Sequence, residues 1–337
     1  MTIAFFETEN WEQTLFATAL HEDAFTFFPA SLNGDTVGEV AHADIVSTFI
    51  YSKLDAEVLS RLTSLKLIAT RSAGFDHIDI SYCKAHGITV CNVPAYGVNT
   101  IAEHTFALML ALSRKLIPSI ERTRRGDFHL EGLRGFALAG KTLGVVGLGR
   151  IGTRVAELAR AFGMKVLVST RHQDPTKAET LGITFVDLPT ILQSSDIVSL
   201  HVPLTPETRH LINTKNIQLM KKGIYLINTA RGGVVETEAI LWALEQGIIA
   251  GAALDVLEEE CAFKEERELL TGAFLKTCDL KTQLLNHVLL TKENVIITPH
   301  NAFNSDDALR EIVRTTINNI VAYTKGTPEN VVNPVMK

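Results

Sequence analysis

A chain of 337 residues has room for about two ordinary domains, and 46% hydrophobic with 21% charged residues is the composition of a folded globular protein rather than a disordered or fibrous one. Thirty-eight acidic against 32 basic residues leave a net charge of −6, which gives no general attraction to nucleic acid or to an anionic membrane. The N-terminus MTIAFFETENWEQ lacks the basic region of a signal peptide, residues 106–112 and other apolar runs are too short to span a bilayer, and Cys83, Cys91, Cys261 and Cys278 form no Cys-x-x-Cys pair, so a reduced cytoplasmic protein with no metal centre is expected.

Short apolar runs alternate with helical patterns along the chain. Strands are expected at residues 3–8, 43–49, 65–71 and 88–93. A long apolar helix follows at 100–116, then a basic segment at 122–135. Further strands are expected at 142–147, 165–170, 196–202, 223–229, 249–256 and 294–300. Near-continuous Val, Ile and Leu in these runs fit strands buried on both faces, and the intervening helices make βαβ units. The fold class is therefore α/β, with two doubly wound parallel-sheet domains. A last helix, 305–325, carries Asp306 and Asp307 in its first turn, where the helix dipole favours them. Packing of this helix on the first block would make that domain discontinuous. The expected domains are 1–98 with 304–337, and 99–303. The polar stretch 260–293 is longer than a simple strand connection needs.

The sequence LGVVGLGRIG places Gly147, Gly149 and Gly152 in the G-x-G-x-x-G spacing after a strand and at the start of a helix. That context is what the dinucleotide fingerprint requires. The glycines permit a tight turn, and the N–H groups of Arg150 and Ile151 would face a pyrophosphate at the helix N-terminus. A plain strand–turn–helix with packing glycines is the alternative.

The next strand ends in Ser169, Thr170 and Arg171, where an Asp or Glu normally holds the ribose. An acid there would repel a 2′-phosphate, by roughly 4 kcal/mol at 4 Å and an effective dielectric of 20. Its absence, with Arg171 as a candidate phosphate ligand, favours NADP(H) over NAD(H). Alternatively, Thr170 bonds an ordinary ribose and Arg171 is solvated.

Three further stretches, NTARGGVVE (228–236), ALDVLEEE (253–260) and TPHNAF (298–303), join VGLGRIG and LHVPLTPETRHLIN (200–213). Together they closely resemble the D-isomer-specific 2-hydroxyacid dehydrogenases over essentially the whole chain. NVPAYGVNTIAEH (92–104) and PHNAF look most like the D-lactate dehydrogenase branch, through Tyr96 and Phe303. The resemblance implies a Rossmann domain, a flavodoxin-like substrate domain, an active-site cleft between them and a homodimer. It implies a catalytic trio of Arg231, Glu260 and His300. It implies substrate contacts from Ala73, Gly74, Tyr96, Arg231 and Phe303, the amides of Ala73 and Gly74 holding the carboxylate. It implies cofactor contacts from Arg150, Ile151, Val202, Pro203, Thr208, Thr229, Ala230 and, at the nicotinamide carboxamide, Asp255; these join Gly147, Gly149 and Gly152 of the fingerprint and Thr170 and Arg171 at the ribose position, where the D-lactate branch usually has an acid.

The chemistry suits these residue types. Reducing a 2-keto acid needs a hydride on carbon and a proton on oxygen. His300 would give the proton, the imidazole group being the usual general acid near neutral pH. Glu260 would stabilise its protonated form. The planar fork of Arg231 can grip a carboxylate and polarise the carbonyl. The expected reaction joins NAD(P)H to a small 2-keto acid, with pyruvate and D-lactate foremost. An NADPH-dependent glyoxylate or hydroxypyruvate reductase is the alternative enzyme, and a nucleotide-sensing corepressor is the alternative from another class. Two features depart from the family pattern: Cys261 follows Glu260 where a proline is usual, and about eight extra residues lie between Glu260 and His300.

Overall fold

The computed structural model describes residues 1–20, 23–258 and 279–334. The chain divides into two compact units, residues 1–96 with 304–337, and residues 97–303.

The first unit runs β1 (Thr2–Phe6), α1 (Asn10–Ala19), β2 (Ala24–Phe28), β3 (Ile45–Ser47), α2 (Ala56–Ser60), β4 (Leu67–Ala69), α3 (Ile80–Ala85) and β5 (Thr89–Cys91). Its sheet is parallel in the order β2-β1-β3-β4-β5, the flavodoxin-like order. Alternate strand residues face opposite layers. Ala4, Phe6, Val46 and Ile68 enter one core, while Ile3, Phe5, Ile45 and Leu67 enter the other.

The second unit opens with α4 (Val98–Ser113) and α5 (Leu116–Arg124). Then come β6 (Thr142–Val146), α6 (Arg150–Ala161), β7 (Lys165–Ser169), α7 (Pro175–Leu181), β8 (Thr184–Phe185), α8 (Leu188–Ser194), β9 (Ile197–Leu200), β10 (Ile224–Asn228), α9 (Thr237–Glu245), β11 (Ile249–Leu254), α10 (Leu280–Leu290) and β12 (Val295–Ile297). The seven strands are parallel, in the order β12-β11-β10-β9-β6-β7-β8. Counted from β6, that is the Rossmann order with one added strand. Helix α6 buries Val155, Ala156 and Ala159 at helical spacing and turns Arg154 and Glu157 outward. The chain returns to the first unit with α11 (Asp306–Thr324), capped by Ser305 Oγ accepting from Ala308 N, and its Val313 and Ile320 join Phe5 and Leu67.

The α/β class agrees with expectation, but several elements differ. Strands β2 and β8 were not foreseen. Strand β2 is a half-exposed sheet edge bonded only to β1, and β8 has two residues. The ten expected strands all stop one to three residues short of the expected end, because the chain leaves the sheet into loops. Gly147 at φ 95° ends one such run, and Pro299 with His300 at φ 52° ends another. The helix expected at 100–116 breaks after Ser113, with Lys115 left-handed at φ 53°. A continuous helix would drive the Pro118 ring into the carbonyl of Arg114 and remove a hydrogen bond, so the chain restarts as α5.

Candidate active site

The phosphate loop joins β6 to α6. Gly147 must be glycine, because it combines φ 95° with close approach: a Cβ there would lie 2.5 Å from His201 O and 2.8 Å from Val202 Cγ1. At Gly152 a Cβ would lie 2.0 Å from Gly147 O. A Cβ at Gly149, the N-cap of α6, would meet nothing within 4 Å. Thus the loop is packed tightly behind and open in front. The first N–H groups of α6, from Arg150 onward, have no acceptor within the helix. Beside them is a pocket of about 520 Å3 lined by Gly149, Arg150, Thr153, Arg154 and Lys177 among others. Thr153 Oγ1 is buried there with no hydrogen-bond partner among the described residues. An open helix N-terminus, basic lining and an orphaned hydroxyl fit the pyrophosphate of a dinucleotide.

The other expected cofactor residues lie at the carboxyl ends of neighbouring strands. Thr170 and Arg171 follow β7, and Val202, Pro203 and Thr208 follow β9. Thr208 Oγ1 donates to Pro203 O at 2.6 Å and accepts from Thr205 N at 2.8 Å, which braces that turn. Thr229 and Ala230 follow β10, where Thr229 Oγ1 lies 2.9 Å from Thr105 Oγ1 on α4.

Three adjacent strands lead to the candidate catalytic residues. Asn228, Leu254 and Ile297 are register partners at the ends of β10, β11 and β12. Arg231, Asp255 and His300 follow those ends, on strands roughly 5 Å apart. Arg231 is half-buried, with its Nη1 donating to Ala230 O at 2.8 Å and its own carbonyl held by Asn228 Nδ2 at 2.9 Å. His300 is half-buried in a left-handed turn that Asp255 anchors. The Asp255 carboxylate accepts from Thr298 Oγ1 at 2.5 Å, Asn301 N at 3.0 Å and Ala302 N at 2.9 Å, with His104 Nε2 at 3.5 Å. Burial alone would raise its pKa, but the bonds from His104, Thr298 and Ala302 outweigh that and hold it below the ordinary carboxylate range. Asp255, expected as a nicotinamide contact, thus also supports the turn bearing His300. Glu260 and Cys261 lie outside the described residues, as does most of the stretch expected to be inserted. Phe303 follows the same turn as His300.

In the first unit, Ala73 and Gly74 follow β4, and Tyr96 lies beyond β5. The Ala73 carbonyl accepts from Asn92 Nδ2 at 2.8 Å and the Gly74 carbonyl from Ser72 Oγ at 2.7 Å. Beneath them Arg71 is 1% exposed, its Nη2 donating to Phe6 O and Glu7 O at 2.7 Å each and its Nε 3.5 Å from Glu12. Arg71, Asn92, His104, His210 and Glu258 were not singled out from the sequence. Most of them stand inside the motifs quoted above, but a single sequence does not show which of its polar residues turn inward.

Residues 106–302 match the family described as D-isomer specific 2-hydroxyacid dehydrogenase, NAD binding domain. The chain belongs to the D-isomer specific 2-hydroxyacid dehydrogenases. This dehydrogenase is an oxidoreductase that uses a nicotinamide cofactor on the CH–OH group of a 2-hydroxy acid. It is 34% identical to the D-lactate dehydrogenase of Escherichia coli K12, over 97% of its own length and 98% of the relative's. It is 37% identical to the glyoxylate reductase of Thermococcus litoralis, over 89% and 86%. Among solved structures it is similar to the D-lactate dehydrogenase of Aquifex aeolicus complexed with NAD and lactic acid, with TM-score 0.88, 38% identity and coverage of 98% and 99%. Among the described residues no helix is long and apolar enough to cross a membrane.

Proposed function

We propose that this dehydrogenase reversibly reduces a small 2-keto acid, pyruvate foremost, to the D-2-hydroxy acid. The observation that carries the reading is the placing of Arg231 and His300 at the carboxyl ends of β10 and β12, with Asp255 between them fixing the turn of His300. The bound nicotinamide supplies the hydride. Arg231 binds the substrate carboxylate and draws electron density from the keto oxygen through its planar fork. His300, protonated, gives its proton to that oxygen as the carbonyl carbon is reduced, and takes it back in the reverse direction. Glu260, by its motif position, holds the imidazolium. The amides of Ala73 and Gly74 bind the carboxylate, and Tyr96 and Phe303 contact the side group.

The ribose position of Thr170 and Arg171 carries no acid on its own strand, which supports use of NADPH and a preference for it over NADH. A second reading, reduction of glyoxylate or hydroxypyruvate, is favoured by relatives named glyoxylate reductase. The kcat/KM of purified protein for pyruvate, glyoxylate and hydroxypyruvate with each cofactor decides between them. Flat absorbance at 340 nm across that matrix overturns the enzyme assignment itself.

We further infer a homodimer that covers Leu116, Ile117, Ile120, Phe128 and Leu130, large apolar residues each at least 42% exposed on α5 and the arm after it. A monomer mass in light scattering refutes it. The buried free thiols of Cys83 and Cys91 suit a cytoplasmic setting, which cell fractionation checks.

A further inference from the structure

Arg171 is not alone at the end of β7. Its Nη2 lies 3.6 Å from Oε2 of Glu207, and the two side chains are 68% and 69% exposed. Glu207 belongs to the loop after β9, between the expected cofactor contacts Pro203 and Thr208. That loop is a braced turn: Thr208 N donates to Thr205 O at 3.1 Å and Arg209 N to the same oxygen at 2.9 Å. The Glu207 carboxylate itself accepts from Thr205 Oγ1 at 2.7 Å. Its charge is therefore held in place beside the guanidinium.

From these contacts we propose that Glu207 is a determinant of cofactor choice, supplying from a neighbouring loop the negative charge that β7 lacks. It holds Arg171 and must release it before a 2′-phosphate can use it. The inference rests on the reading that the adenosine ribose lies at Thr170 and Arg171. A phosphate bonded to Arg171 would stand within about one Debye length of Glu207, roughly 8 Å at physiological salt, so the two anions repel. The uncharged 2′-hydroxyl of NADH feels no such repulsion and needs no release of Arg171. Glu207 thus opposes the preference that Arg171 promotes.

Glu207→Gln keeps the size of the side chain and an oxygen for Thr205, and the site is exposed, so folding is not at risk. Dissociation constants are measured for NADPH and NADH by fluorescence, and for adenosine 2′,5′-bisphosphate and 5′-AMP by calorimetry. Glu207→Gln is expected to tighten NADPH and the bisphosphate about two- to five-fold, the range of an exposed ion pair, while NADH and AMP stay unchanged. The gain should shrink in high salt, and shrink also in the double variant with Arg171→Ala, which keeps only the direct repulsion. If Glu207→Gln leaves the NADPH/NADH ratio unchanged while Arg171→Ala alone weakens NADPH, the Glu207 proposal is overturned and the phosphate role of Arg171 stands. If neither substitution moves the ratio, both fall.

Discussion

Nε2 of His210 and Oε1 of Glu258 lie 2.5 Å apart although 48 positions separate them in the chain. The other Glu258 oxygen accepts from Thr237 N at 3.2 Å and Thr237 Oγ1 at 3.1 Å, and the residue is 8% exposed. One carboxylate thereby ties together the loops after β9, β10 and β11. His210 N also donates to Gly233 O at 2.8 Å, and a Cβ on Gly232 would lie 1.8 Å from Leu257 O. The segment bearing Arg231 is clamped on both sides. Glu258→Ala is expected to cost about 3 kcal/mol, because it strips the partner from His210 and Thr237 in a buried setting. A fall in the urea midpoint together with a lower kcat/KM checks this; an unchanged midpoint refutes it.

Asp255 anchors the turn of His300 through three donors and His104. Asp255→Asn turns an amide N–H2 toward some of those donors and loosens the turn. The expected result is a drop in kcat of at least ten-fold, larger than any weakening of NADH binding. His300→Ala should abolish turnover and leave cofactor binding intact. A turnover assay paired with fluorescence titration separates these outcomes, and intact turnover in His300→Ala removes its role as proton donor. The folded pKa of Asp255 is depressed, so its contribution to stability is present above the unfolded value near 3.8 and is lost as pH falls through the lower folded value. The acid limb of the stability curve should therefore flatten in Asp255→Asn.

His201 follows β9 behind the phosphate loop, its Nε2 2.8 Å from Ser199 Oγ. Desolvation pushes its pKa down to about 4 from 6.5. Between those values the unfolded chain binds a proton that the folded one does not. Its contribution is full above pH 6.5 and falls away toward pH 4, by about 2 kcal/mol after allowing for a residue that is only half-buried. Urea midpoints measured from pH 7 to pH 4.5 should fall less steeply in His201→Gln; parallel curves count against the assignment.

Gly149 and Gly152 should respond differently to one added methyl group. Gly149→Ala has open space and ordinary backbone angles, so the free protein keeps its thermal midpoint. NADH binding should nevertheless weaken by ten-fold or more, because the methyl occupies the pyrophosphate's face. Gly152→Ala meets the Gly147 carbonyl and should lower both midpoint and binding. If Gly149→Ala binds NADH normally, the pyrophosphate lies elsewhere.

Much of the architecture was legible in the chain. Apolar runs such as 142–147 and 223–229 announce buried parallel strands, because a strand covered on both faces has no polar alternation to hide it. The G-x-G-x-x-G spacing marked the phosphate loop, because close backbone approach excludes a side chain at Gly147 and Gly152. Strand β2 was in fact legible in AFTFF (24–28), an aromatic run of high β-propensity, although it lies at a half-exposed sheet edge. The break at Lys115 was signalled only by Pro118, a residue that a helix tolerates in its first turn.

Local pattern thus settled the strand–helix alternation and the two-domain α/β class, since these depend on periodicity and backbone geometry within short windows, whereas the candidate site residues came from the family resemblance. Local pattern left open which charges meet. Glu207 answers Arg171 from another loop, and Glu258 binds His210 across 48 positions. Such pairs arise when the strand order brings loop ends together, and long-range closure of this kind leaves no trace in the spacing of a single chain.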